Sequence, residues 1–404
     1  MQEVPLKFHP LSFVDERDEV IVGRPDIDSF VVLERDGASA LRKLVAGSTA
    51  VETAEWYERE YGQNLDIGDF VETLRELSFL RDADETGEHY RHRRSGPIRF
   101  RVLASWLFSW PMLAAYALIA LVWLVMIIAY PEFAPRPHQM FFTDSIVAVE
   151  LVAMFGQLPF LFGHEAFHAL AGRRLGLPSR LGISTRLYFI VFETHMQGLL
   201  TVERRKRYMC YFAGMLFDVI AICLLGMLSY LLRDSDGVAG MAGLLALALA
   251  FPIVTRFFYQ FVLFLRTDLY YVVASMLGCQ DLDGIGRAFL KNHFWWALRR
   301  PEKIVDETQW TDRDRRAAIW YAPVLAVGVV VLLGIWILAM VPVALQMVSL
   351  VAEGLSSGAN DPLFWDRVAF LALNFFQIVL LIVVSRRSRA KQRSAAHLTE
   401  ANND

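Results

Sequence analysis

Six stretches of about 20 or more apolar residues run through this 404-residue chain, and they constrain it more than any other feature. About 20 consecutive apolar residues span a hydrocarbon core as a helix. The stretches lie near 103–130, 146–171, 209–232, 239–265, 319–348 and 366–385. They exclude an ordinary soluble globule and predict a polytopic, mainly helical membrane protein. The segment from Thr267 to Leu277 reads as an extension of the fourth helix.

Charge divides the chain. Residues 1–90 carry 21 Asp/Glu against 9 Lys/Arg, while the remainder has a net charge of +9. The basic residues cluster in alternate connections. Residues 172–208 hold Arg173, Arg174, Arg180, Arg186, Arg204, Arg205, Lys206 and Arg207; residues 286–318 and the tail after Ser385 are also basic. The connections 131–145, 233–238 and 349–365 are poor in Lys and Arg. Lys and Arg concentrate on the cytoplasmic side. This alternation predicts a multi-pass protein of the cell membrane with both termini in the cytoplasm. The N-terminus lacks the charged start and apolar run of a signal peptide. The three cysteines, Cys210, Cys223 and Cys279, match no metal-ligand spacing and read as unpaired thiols in apolar helices.

The acidic first part reads as a small α+β domain over residues 1–90. Glu19–Arg24 and Ser29–Glu34 are β-branched runs separated by turn residues, a hairpin signal. Three helical patterns follow, around Ala40–Val45, Thr49–Tyr61 and Asp66–Leu80. A hairpin with three short helices suggests a winged-helix-like domain. A basic linker (91–102) leads to the transmembrane domain (103–385). Residues 386–404 read as a disordered cytoplasmic tail.

The chemistry sits on the second span, in His164-Glu165-Ala166-Phe167-His168. On a helix the two histidines lie one turn apart on one face, where their rings can share a zinc ion. Glu165 is offset by about 100° and can act as general base toward a water on that ion. Polar side chains in an apolar span are expensive and usually functional. Glu150, Gln157 and His164 recur every seven residues and His168 follows, which predicts one polar stripe. A catalytic zinc site needs a third protein ligand and an open position. Asp268 lies at the cytoplasmic end of the fourth span, level with the histidines. Asp283, farther on, is the alternative. Asp268 could instead simply pair with Arg266.

Asp218 and Arg256 are charges inside apolar helices that either pair with each other or line the site. Residues 187–200 are β-rich and could hold a substrate extended; Glu193 and His195 within them read as structural. His293–Arg300 is aromatic and basic and reads as an interfacial helix on membrane lipid, with no nucleic-acid role.

With these segments in view, the chain resembles the site-2 protease family of intramembrane zinc metalloproteases. It is most similar to the bacterial peptide zinc metalloprotease branch found in gene clusters for ribosomally made peptides. The resemblance rests on His164–His168, on ERRKRYMCYFAGMLFD (203–218) and on TDLYYVVASMLG (267–278). It implies that His164, His168 and Asp268 bind Zn(2+) and that Glu165 is the catalytic base. The family's LDG stands here as Thr267-Asp268-Leu269, and a literal LDG occurs at Leu282–Gly284, which keeps Asp283 open. Residues 1–90 resemble a PqqD-like peptide-recognition domain, which implies that a leader peptide binds as an added strand along Ser29–Glu34.

The expectation is therefore a zinc endopeptidase that cuts a precursor peptide from its leader, with peptide-modifying enzymes or an exporter as further partners. The alternatives are a protease of a membrane-bound regulator and a non-catalytic scaffold that binds the precursor.

Overall fold

Val20, Ile21 and Val22 form a short β-branched run that is buried along its whole length, so it has to be a central strand. In the computed structural model it is. β2 (Glu19–Arg24) lies between β1 (Ser12–Glu16) and β3 (Ser29–Glu34) in an antiparallel sheet of order β1-β2-β3. Val14 pairs with Ile21, and Val22 pairs with Val31. The structure describes residues 4–16, 19–81, 98–186, 189–278, 282–304, 310, 312–337 and 341–401. Most of the basic linker read from the sequence therefore lies outside the described residues, as does Cys279.

Three helices cover the sheet: α1 (Arg35–Val45), α2 (Ala50–Tyr61) and α3 (Ile67–Glu76). Leu41, Leu44, Leu74 and Phe79 meet Val20 and Val22 in the core. Thr49 and Glu52 form a reciprocal capping box at the start of α2, and Asp66 caps α3, which satisfies otherwise orphaned helix N–H groups. The third helix stops at Glu76, short of Leu80. Ser78 takes a left-handed turn, and Leu80 pairs instead with Phe8.

The rest of the described chain is almost entirely helical. It contains α4 (Arg101–Leu107), α5 (Trp110–Ala129), α6 (Ile146–Phe155), α7 (Leu158–Arg174), a hairpin of β4 (Ser179–Arg186) and β5 (Phe189–Met196), α8 (Arg204–Leu231), α9 (Met241–Tyr259), α10 (Asp268–Leu277), α11 (Leu282–Ala297), α12 (Asp312–Ile335), α13 (Val341–Ser356) and α14 (Pro362–Ala401). Among the described residues, six stretches are long and apolar enough to cross a membrane: Trp110–Ala129, Ile146–Arg174, Arg204–Leu231, Met241–Tyr259, Arg315–Gly334 and Pro362–Leu380. The molecule is thus mainly α and polytopic.

Four boundaries differ from the sequence reading. The first span starts at Trp110, because Pro111 suits only a first helical turn and α4 ends before it. The fourth ends at Tyr259. The chain turns through Arg266, whose φ is 54°, so α10 is a separate helix and not an extension. In the fifth, α12 runs to Ile335, and the described chain resumes as helix α13 at Val341. The sixth continues to Ala401, where a disordered tail is expected from Arg386 onward. That stretch has no Gly or Pro and is rich in Ala, Arg, Lys and Gln, all good helix formers.

The chain divides into two compact units. One is Met1–Met112 with Ala166–Gly182 and Thr194–Ala213; the other is Leu113–Glu165 with Ile183–Glu193 and Gly214–Asp404. Within the first, the sheet domain is fastened to the root of α8. Buried Arg207 forms an ion pair with Glu16 at 2.6 Å, and it donates to the carbonyls of Val202 (2.7 Å) and Leu200 (2.8 Å). Asp28 accepts from the Gly198 amide at 3.0 Å. Within the second, polar side chains on the apolar helices find partners. Glu150 accepts from Asn374 (3.1 Å) and Gln377 (2.7 Å), while Asp366 accepts from Ser145 and from the Ile146 amide.

Tyr57 supplies a test of the sheet domain. Its phenol is pushed up to about 12, first because it donates to the Asp36 carboxylate and second because it is buried. A raised phenol contributes stability that is fully present below its unfolded value near pH 10 and is lost as pH rises through about 12. Tyr57→Phe is expected to cost about 1–3 kcal/mol at neutral pH and to abolish that alkaline loss. Amide hydrogen exchange of α1 and α2 across this pH range reads both effects.

Candidate metal centre

α7 carries His164, Glu165 and His168, all buried. It packs closely at Gly163, where an added Cβ would stand 2.1 Å from the Phe217 ring of α8. The glycine lets the two helices approach at the residue preceding His164. Close approach brings the hydrogen-bond acceptors of α8 within reach of the histidine rings.

His164 is held on both sides. Its Nδ1 lies 3.1 Å from Oδ2 of Asp218, and its Nε2 lies 3.2 Å from Oδ2 of Asp268. His168, one turn farther along α7, has Nδ1 2.7 Å from the carbonyl oxygen of Cys210. One candidate donor atom each from His164, His168 and Asp268 lies within 4.8 Å of the others. Among the described residues this is the one such grouping of three His, Cys, Asp or Glu donors. A tetrahedral zinc ion with bonds of about 2.0–2.1 Å sets its ligand atoms about 3.3 Å apart. The separation of His164 Nε2 from Asp268 Oδ2 already has that size. The donor set, two imidazoles and one carboxylate, is a combination found at catalytic zinc.

Asp268 is the first residue of α10. Its backbone is placed by Gln260, whose buried side chain accepts from the Asp268 amide at 3.0 Å. The Gln260 carbonyl accepts from the Thr267 hydroxyl at 2.7 Å. Nothing in the chemistry of a lone Gln pointed to this role in the sequence. Asp283 belongs elsewhere: it is paired with Arg287 at 2.8 Å and Arg266 at 3.3 Å, and it is not in the donor group.

The expected polar stripe along the second span is not continuous. Gly156 and Gln157 form a turn between α6 and α7, so the seven-residue spacing does not keep one face across it. Gln157 donates to the Leu249 carbonyl at 3.0 Å, and Glu150 binds Asn374 and Gln377. Only the two histidines of that stripe join the donor group. Asp218 and Arg256 do both things weighed for them. Arg256 grips both oxygens of Asp218, and Asp218 in turn meets His164. Residues 189–196 do form a strand, β5, and its Phe192 ring lies 4.7 Å from that of Phe162 on α7. His195 sits on that strand and is not in the donor group, while the side chain of Glu193 lies outside the described residues. The Cys210 and Cys223 thiols are buried and free.

Compared with protein-family models, curated proteins and solved structures, the chain gives no match.

The two aspartates separate by metal content. If this group holds zinc, as the sequence reading expects, Asp268→Ala purified in detergent carries much less zinc per chain than the parent, and Asp283→Ala carries as much. Elemental analysis per chain reads the result; equal loss from both variants would contradict the assignment.

Proposed function

We propose that this chain is an intramembrane zinc endopeptidase. The observation that carries the reading is the convergence of His164, His168 and Asp268 at a buried point of a membrane-length helix that also bears Glu165. When bound, zinc supplies a Lewis acid for the scissile carbonyl and a water acidified to a pKa near 7. His164, His168 and Asp268 would hold the ion through three protein ligands, the number found at catalytic zinc sites.

Glu165 is the general base. It follows His164 directly on the helix, so its side chain is offset by about 100° from the two histidines and would not be one of the ligands. It takes the proton of the attacking water and returns it to the leaving amine. A purely structural zinc site would have no use for this carboxylate, which favours an enzyme over a scaffold. β5 gives the substrate an edge on which to lie extended, the form in which a peptide bond is accessible.

The substrate proposed is a precursor peptide, cut to release it from its leader. The sheet domain supports this choice. It is acidic, its fold is read as winged-helix-like and PqqD-like, and β3 (Ser29–Glu34) is an edge strand open to strand addition. Its attachment to the root of α8 through Arg207 and Asp28 would tie a captured leader to the membrane domain. The Lys/Arg-rich connections support an orientation with both termini and this domain on the cytoplasmic side of the cell membrane. Exposed Phe294 and Trp296 on α11, followed by Arg299 and Arg300, support an interfacial position for this helix on the same side.

Glu165→Gln tests the reading. The variant is expected to keep its zinc and to cut a candidate precursor about 10²–10⁴-fold more slowly. Mass spectrometry of the products decides it: the same products at the same rate would end the protease reading.

A further inference from the structure

An imidazole ligates through one ring nitrogen. The acceptor bound by the other nitrogen decides which one is free and how the ring is turned. Here both acceptors come from a single helix. α8 offers the Cys210 carbonyl to His168 and the Asp218 carboxylate to His164. The pairings run in opposite order along the two helices, 168 with 210 and 164 with 218, so α7 and α8 are antiparallel at the site.

The two acceptors are not equivalent. A backbone carbonyl comes with the helix. A carboxylate with no solvent exposure does not come cheaply, because a buried charge has to be matched by a partner of good geometry. Arg256 of α9 provides the match. Its Nη2 contacts Oδ1 of Asp218 and its Nε lies 3.2 Å from Oδ2. It also donates to the carbonyl of Phe160, one turn before His164, at 3.3 Å. The guanidinium fork therefore fixes the plane of the carboxylate, and Oδ2 is left facing the His164 ring.

We infer that Asp218, oriented by Arg256, is a positioning residue for the metal centre. It holds His164 with Nδ1–H toward α8 and Nε2 toward Asp268, and so sets both the affinity for the ion and the geometry around it. This rests on the reading that His164, His168 and Asp268 hold a metal. The competing view is that Asp218 and Arg256 only staple α8 to α9, with His164 a bystander.

The test uses the full chain in detergent. Zinc affinity is measured by chelator competition. The visible absorption of the cobalt(II)-substituted protein is recorded, and thermal unfolding is followed without metal. The variants are Asp218→Asn, Asp218→Ala, His164→Ala and Glu150→Gln. Asn keeps the volume of the side chain and can accept a hydrogen bond, but it lacks the charge, so it covers the case in which Asp218→Ala does not fold. Loss of such an outer partner weakens metal binding about 10–100-fold. Asp218→Ala is expected in that range. Asp218→Asn is expected near the lower end, with an altered cobalt spectrum; its unfolding midpoint is expected below that of the parent, because Arg256 loses its counter-charge. Glu150→Gln changes an intramembrane carboxylate outside the donor group and is expected to bind as the parent does. Parent-like affinity and spectrum in Asp218→Asn would overturn the inference and leave the metal site standing. A parent chain that binds neither zinc nor cobalt more tightly than His164→Ala would overturn both.

Discussion

A charged side chain among apolar helices has no water to turn to, so it must be matched by another group of the protein. The arrangement around α7 follows from this constraint. Asp218 is fully buried and is matched by Arg256 on one side and His164 on the other. His164 passes the chain of contacts on to Asp268, and the backbone of Asp268 is anchored on Gln260. Each group is polar because its neighbour is. Replacing any one with an apolar residue would leave the next unmatched. The same rule explains Glu150, Asp366 and Arg367, which are satisfied among themselves and their neighbours away from the His164–His168–Asp268 group.

α8 links most of these contacts. At its root, Arg207 ties it to Glu16 of the sheet domain. One turn on, its Cys210 carbonyl meets His168, and two turns beyond that Asp218 meets His164. Gly163 on the facing helix makes the approach possible. In the proposed reading, the helix that orients the zinc ligands is also the one to which the leader-binding domain is attached.

Much of this was legible in the sequence because it depends on local patterns. Length and apolarity alone locate six spans. A turn of helix places His164 beside His168. The β-branched runs at 19–24 and 29–34 are strands. Asp268 is singled out by its depth relative to the histidines. What escaped depends on contacts distant in sequence or on small local breaks. β1 is short and carries Asp15 and Glu16, so it lacks an apolar run, and only pairing with β2 makes it a strand. The turn at Gly156 and Gln157 undoes a stripe that a continuous helix would have kept. The contact of Asp218 with His164 joins residues 54 apart. Gln260 acts through its amide oxygen on a backbone N–H, a role that leaves no motif.

The most direct measurement of the central claim is X-ray absorption at the zinc edge of the detergent-purified chain. Two imidazole nitrogens at about 2.0–2.1 Å with one or two oxygens at about 2.0–2.2 Å, and no sulfur, is the expected shell. A sulfur shell near 2.3 Å, which would place a cysteine on the ion, or a shell without imidazole would contradict it.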